Sequence, residues 1–313
     1  TGGAGIFAHN NNVDGTICGN YVDSSLADAI HITGTSRYIQ ANGNQVYNPG
    51  DDQIAVVSYG TTSTCHHVEA FCNDLHRQHW GRGMTVVGGY NVTYARNEII
   101  KAISAGIYVA SESSYKTDQW SDIIIADNVL RDTGWALGDD DPNTSTTHPA
   151  IMFYARTDYP GVNALITNNR IYKTFHRGVV IGNQTFDVVL KDNYFENVGN
   201  TGIYTVGTTD AQILDNTFNG TDSYSMYIDS ATTGNMIISG NQLTDINSNN
   251  VSYVDVINIR SGSQLTTIEI SDNNYENPAG YVIERYIENH LPAAQSTLIN
   301  NTTSTSEPIW QQP

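Results

Sequence analysis

The feature that most constrains this 313-residue chain is a short pattern that returns eleven times. It consists of two or three β-forming residues, one or two polar residues, an asparagine, any residue and then an apolar residue. Clear copies read IQANGNQV at 39–46, VTYARNEI at 92–99, IIIADNVL at 123–130, VVLKDNYF at 188–195 and MIISGNQL at 236–243. The aligned asparagines are Asn20, Asn44, Asn73, Asn97, Asn128, Asn169, Asn193, Asn216, Asn241, Asn273 and Asn301. Their spacings are 24, 29, 24, 31, 41, 24, 23, 25, 32 and 28 residues, a floor near two dozen with insertions above it. A segment that short cannot close a core of its own, so successive copies must stack.

A second apolar run lies between the copies: DAIHI at 28–32, DQIAVV at 52–57, GMTVV at 83–87, GIYVA at 106–110, GVVIG at 178–182 and DVINI at 255–259, among others. Each unit therefore supplies two or three short strands and no helix-length segment. This is the signature of an all-β solenoid, a single right-handed parallel β-helix of about eleven coils over residues 1–302, with 303–313 as a turn-rich tail expected to leave the rod. At about 4.8 Å per coil the rod is roughly 50 Å long. The repeated asparagine reads as a ladder, each amide bonding to the next at a bend where the residue tolerates left-handed backbone. It accounts for eleven of the unusual count of 33 Asn without chemistry. GAGIFAH at 3–9 reads as the second strand of a coil whose first half is absent. An open β-helix end needs a cover, so an N-terminal continuation or another subunit is expected there.

Composition closes off several function classes. Lys and Arg number 14 against 32 Asp and Glu, a formal charge of −18, and no basic stripe appears, so nucleic acid is excluded as a partner. No apolar run approaches the roughly 20 residues of a membrane helix. Cys18, Cys65 and Cys72 are too few for a disulfide framework and read as small buried thiols, with a Cys65–Cys72 bridge open as an alternative.

The insertions cluster in one half, at 58–67, 76–82, 111–121 and 131–149, whereas coils from 165 to 240 are close to minimal. Long loops build walls, so a cleft is expected beside the second to fifth coils. They bring Trp80, Trp120, Trp135 and several tyrosines, whose faces suit sugar rings. Aligning the second strands puts Asp28, Asp52, Arg82 and Ala105 at one level, two residues before Ile30, Ile54, Met84 and Ile107, with Asp51 adjacent. Strict alternation would turn these acids inward, but buried unpaired carboxylates cost several kcal/mol each, about the size of a whole domain's margin. They are therefore expected at the bend before the strand, facing a groove, with mutual repulsion raising at least one pKa. An Asp-rich turn or a calcium site is the competing structural reading.

ADAI at 27–30, GDDQIAV at 50–56, GRGMTVVGG at 81–89 and AGIYVAS at 105–111 resemble the polygalacturonase family of right-handed β-helix hydrolases. The resemblance covers residues 16–111 and implies that Asp28, Asp51 and Asp52 act as acid and base in an inverting glycosidase. The intervals of 23 and 24 residues from Asp28 to Asp51 and Asp52 are also similar to those of β-helix dextranases and α-1,3-glucanases, and phage tailspike depolymerases share the fold. Stacked coils would place two carboxyls about 5 Å apart, a retaining spacing; the resemblance implies inversion, and inversion is the expectation. Arg82 stands where the family has histidine, and Tyr108 and Ala110 replace the cations that hold a uronate. The expected substrate is thus a neutral or weakly charged polysaccharide, met outside the cell or at a virion surface, without a required cofactor. The expected lining is His31, His79, Trp80, Arg82, Tyr108, Trp120, Trp135, Arg156 and Arg177. Two other classes compete: a polysaccharide lyase or uronate epimerase using an Arg or His base, drawn from Arg77, His79, Arg82, Arg156, His176 and Arg177, with calcium on Asp51 and Asp52; and a non-catalytic adhesin or tailspike shaft.

Overall fold

A computed structural model describes residues 3–60, 64–134, 146–306 and 308–311. Each coil contributes one strand to each of three parallel sheets, the first with twelve strands and the other two with eleven. In one coil the chain runs through Ile30–Thr33 of the first sheet, Arg37–Asn42 of the second and Gln45–Tyr47 of the third, and returns to the first at Ile54–Val57. The whole is a right-handed parallel β-helix.

The register explains the core. Ile30, Ile54, Met84, Ile107, Ile151, Val179, Ile203, Met226, Ile257 and Ile287 stack in one column of the first sheet. All ten are buried. Identical steps along the axis let one apolar residue type fill one column, and Phe195 and Phe218 stack in the same way with centroids 4.5 Å apart. The residues between these core positions face outward and need only suit whatever lies on that face.

The asparagine ladder is continuous from Asn20 to Asn301. The Asn169 amide donates to Asn193 Oδ1 at 3.0 Å and to the Ile125 carbonyl at 2.8 Å, and its own Oδ1 accepts the Asn128 backbone N–H at 3.0 Å. One detail corrects the sequence reading. The left-handed residue at each bend is the one before the asparagine: Gly19, Gly43, Cys72, Arg96, Asp127, Asn168, Asp192, Asp215, Gly240, Asp272 and Asn300 all have φ between 52° and 71°. That residue makes the turn, and the asparagine, buried at every rung but the first and last, satisfies the backbone around it.

Three further expectations are corrected. The segment after residue 303 stays on the rod, because Ile309–Gln311 pairs with Arg285–Asn289 as the last strand of the first sheet. Only Cys65 is buried; Cys18 and Cys72 are exposed, and all three are free thiols, so there is no Cys65–Cys72 bridge. Trp120 is not a loop aromatic open to sugar. It opens strand Trp120–Ala126, is wholly buried, and donates its indole N–H to the Tyr154 carbonyl at 3.0 Å. Its ring fills the space over Gly161, where an added Cβ would meet Cε2 at 1.9 Å.

Candidate functional site

The outer face of the first sheet is the part of the rod that loops enclose. On one edge, chain returning from the third sheet passes through 77–83 and 132–134; on the other, chain leaving for the second sheet passes through 58–60 and 111–119. Between them Ala55, Val57, Val87, Ala105, Tyr108 and Ala110 form a small buried apolar cluster separate from the core, with Met152 and Tyr154 against it. Small residues here make a floor rather than a ridge.

Asp28, Asp51 and Asp52 stand at the entry to this floor. The pairing of Ile30 with Ile54 and of Ile54 with Met84 confirms the alignment of Asp28, Asp52 and Arg82 one coil apart. One carboxylate oxygen from each of the three acids lies within 4.8 Å of the others. The acids do not point into the core. The outward-facing His31 contacts Asp28 Oδ2 through Nδ1, and the outward-facing Thr85 donates its hydroxyl to Asp52 Oδ2 at 2.9 Å. Each acid is also tied to the next coil's backbone: Asp52 N–H donates to Asp28 Oδ1 at 3.0 Å, and Arg82 N–H donates to Asp52 Oδ1 at 2.7 Å. The stacking that builds the rod thus fixes the carboxylates.

Burial and mutual repulsion hold a proton in this group. Asp52, 5% exposed, is pushed up to about 7 by burial first, opposed by Arg82 and reinforced by Asp28 and Asp51. Asp51, half-buried, is raised by burial and then by Asp28, with Arg82 pulling the other way. The Arg82 guanidinium sits 3.8 Å from Asp52 Oδ1 and 3.3 Å from Glu112 Oε1, and lies over the Tyr108 ring at 4.5 Å. Three carboxylates this close could also hold a divalent cation, but Arg82 already places a positive charge against them.

Gly81 permits this packing. It has φ +87°, and an added Cβ would meet Asp51 Oδ1 at 2.3 Å and Asp52 Oδ1 at 2.7 Å. Gly81→Ala is expected to displace both carboxylates and lower turnover by about 100-fold, the scale of a roughly 1 Å misplacement. Circular dichroism checks that the strands survive. Turnover near that of the unsubstituted chain removes the acids from the chemistry.

The other expected lining residues divide. His31, Arg82 and Tyr108 are in the group; Tyr108 is 8% exposed beneath Arg82. Trp80 is 68% exposed on the 77–83 loop, and His79 beside it is exposed, its backbone N–H bonded to the Pro49 carbonyl. Arg156 lies on the opposite edge, paired with Asp158 and stacked on Tyr159 at 4.3 Å. Arg177 is further along the face, over Tyr204 at 4.5 Å. Trp135 lies outside the described residues. The reading missed Thr85 and Glu112. Thr85 was detectable as the one aliphatic hydroxyl among the outward residues that follow Ile54, Met84 and Ile107.

Two other places compete. A groove of about 660 Å³ on the second sheet is lined by Tyr38, Gln40, His67, Glu69, Asn91 and Asp122 among others. Two of its acids are bound by amides, Glu69 by Gln40 at 3.1 Å and Asp122 by Asn163 at 2.7 Å. On the first sheet, Asp255 is also pushed up to about 7, by burial and then by its hydrogen bond with Glu288. Glu288, however, is already bound by Arg285, by His290 at 3.0 Å and by Asn258, which leaves only Asp255 Oδ1 without a hydrogen bond.

The family model described as right handed beta helix region matches residues 144–303. No curated protein matches the chain. Among solved structures, the catalytic domain of a GH87 α-1,3-glucanase, a substituted form in complex with tetrasaccharides, is similar with a TM-score of 0.58 and 19% identity, over 69% of this chain and 44% of that one. A double mutant of the tailspike protein of E. coli bacteriophage HK620 is similar with a TM-score of 0.61 and 10% identity, over 91% of this chain and 53% of that one. The siphovirus 9NA tailspike receptor binding domain gives 0.52 and 7%, over 93% and 52%. This chain spans about half the length of these proteins, and at such identities the likeness is one of fold.

Proposed function

Because the chain belongs to the right-handed β-helix family, its model matching residues 144–303, we propose that it is a glycoside hydrolase acting on a polysaccharide laid along the first sheet. The observation that carries this reading is the group of three carboxylates, with oxygens within 4.8 Å and one proton held to about pH 7. The likeness to a glucanase bound to tetrasaccharides supports it.

The hydrogen bonds suggest the roles. Asp52 accepts at both oxygens, from Arg82 N–H and Thr85, and Asp28 accepts from Asp52 N–H. In the free protein burial keeps the group's proton on Asp52; its two hydrogen-bond donors favour the ionised form, so when substrate binds the proton passes to Asp51. Asp51 protonates the glycosidic oxygen as the bond to the anomeric carbon breaks. Asp28 and Asp52, one coil apart, take the proton of a water whose oxygen adds to that carbon, the inverting course that the polygalacturonase resemblance implies, although a 4.8 Å spacing by itself would suit retention. Arg82, 3.8 Å from Asp52, favours that acid's ionised form. The substrate is met outside the cell or at a virion surface; among the described residues no helix is long and apolar enough to cross a membrane.

The sign of the pH dependence follows from the raised pKa. Turnover is expected to fall as pH rises through about 7, where the group loses its proton. A rate that instead climbs through that range assigns the acid elsewhere. The direct test is a panel of neutral and acidic polysaccharides read for new reducing ends. Chelation with EDTA is expected to leave the rate unchanged, and loss of activity restored by calcium would favour the lyase reading.

A further inference from the structure

Further along the same face lies a group that the hydrolytic acids do not use. Ile107 pairs with Ile151 and Ile151 with Val179, so the residues three places upstream, Ser104, His148 and His176, form one column that also contains Gly81 and Asp51. Arg177, beside His176, continues the column of Asp52 and Arg82. His148 is thus three coils from Asp51, about 14 Å, and Arg177 four coils from Asp52, about 19 Å.

These three residues share an unusual state. His148 Nδ1, His176 Nδ1 and Arg177 Nε are all buried atoms with no hydrogen-bond partner. Each such atom costs stability, and native chains rarely cluster them without use. Among the described residues five arginines have a carboxylate partner and Arg177 has none; Arg77, Arg96 and Arg170 also lack one but are exposed, and Arg37 bonds Asn11, whereas Arg177 is half-buried with its Nε unpartnered. Its flat face rests on Tyr204, which leaves its edge for a ligand. The electrostatics agree. His176 is pushed down to about 4 by burial, then by Arg177 and His148. His148 is lowered by burial and then by Arg82, and Arg177 is lowered by burial. Among the described residues no carboxylate is paired with any of the three, and the two imidazoles stay neutral beside the Arg177 charge.

We propose that Arg177, His176 and His148 form a subsite for the oxyanion of an acidic sugar, a carboxylate or a sulfate ester. The role of this subsite in substrate choice rests on the hydrolase reading above; the anion site itself does not. It makes the substrate a glycan with an acidic group set 14–19 Å from the cleaved bond, in place of a wholly neutral one. Recognition is charge-assisted: the guanidinium edge donates to the oxyanion, and the imidazoles take up the protons that burial withholds from them in the free protein.

The test reads the imidazole resonances of the Asp52→Asn protein by NMR, so that binding is seen without turnover. The probes are D-glucuronate, D-glucose 6-sulfate and D-glucose. Glucuronate or the sulfate ester is expected to shift the His176 and His148 signals and raise the His176 pKa by at least about one unit, tenfold in proton affinity. Glucose is expected to do neither. Arg177→Gln should weaken the effect at least about tenfold, with Arg177→Lys keeping part of it, and the melting temperatures of both should match the parent. The acidic probe that acts identifies the source of the anion. No response to either acidic probe, an equal response to glucose, or a response that survives Arg177→Gln overturns the proposal. Anion binding without hydrolysis of any polysaccharide would sink the hydrolase reading and leave the subsite standing.

Discussion

Asp52→Asn is expected to lower turnover by at least about 100-fold while raising thermal stability at neutral pH. The two effects have one cause. Asp52 is almost wholly buried beside Asp28 and Asp51, and its pKa in the folded chain is raised to about 7 from 3.8. Between those values the folded chain holds a proton that the unfolded chain releases, so stability falls as pH rises, by about 1.4 kcal/mol per unit for this group. Asparagine removes that penalty. Its Oδ1 still accepts the Arg82 N–H, and its amide faces the Thr85 hydroxyl, so the local bonds survive. What is lost is the charge that would draw a proton from water. Asp255→Asn serves as the control, since Asp255 has the same raised pKa but lies in the Glu288 network; that variant should keep its activity. Equal loss in both variants would mean that the first sheet's acids act only through stability.

The second large effect is structural. Asn169→Ala, in the middle of the ladder, is expected to destabilise the chain by about 3–5 kcal/mol. It removes the acceptor of the Asn128 backbone N–H and side-chain amide, both at 3.0 Å, and the donor to the Ile125 carbonyl. The Asn128 backbone N–H and the Ile125 carbonyl lose these buried partners, while the Asn128 amide keeps only its bond to the Tyr94 carbonyl at 2.8 Å. Asn20→Ala, at the ladder's first rung, costs only about 1 kcal/mol, because Asn20 only donates to Asn44 and no other rung depends on it. Urea unfolding of both variants checks the difference. Equal costs would mean that the ladder is decoration and that side-chain stacking alone holds the coils.

These two residues also show what the sequence could and could not reveal. Asn169 and Asp52 were legible for the same reason: in a solenoid, register is periodicity, so aligning repeats aligns residues in space. The bend chemistry was misread by one position, because asparagine, aspartate and glycine all tolerate left-handed backbone and sit next to one another in the repeat. Trp120 was misread because its coil is lengthened by an insertion. The insertion ends one residue earlier, and the ring turns inward only because Gly161 in the next coil leaves room. Glu112 reaches Arg82 from a loop on the opposite edge of the floor, a contact that no spacing encodes. The anion subsite was hidden by the 41-residue gap between Asn128 and Asn169, which broke the alignment of His148 with His176. The inward-or-outward question for the acids was settled in advance by energy alone: a carboxylate has no place among isoleucines, and the chain bends before the strand to keep it out.

The central claim is that Asp28, Asp51 and Asp52 together add water to a glycosidic bond. The most direct test runs the reaction on a cleaved polysaccharide in water enriched in ¹⁸O and weighs the products. The account predicts one heavy oxygen at each new reducing end with the unsubstituted chain, and no product beyond background with Asp52→Asn. Unsaturated products carrying no label, or undiminished labelling in the Asp52→Asn chain, would contradict it.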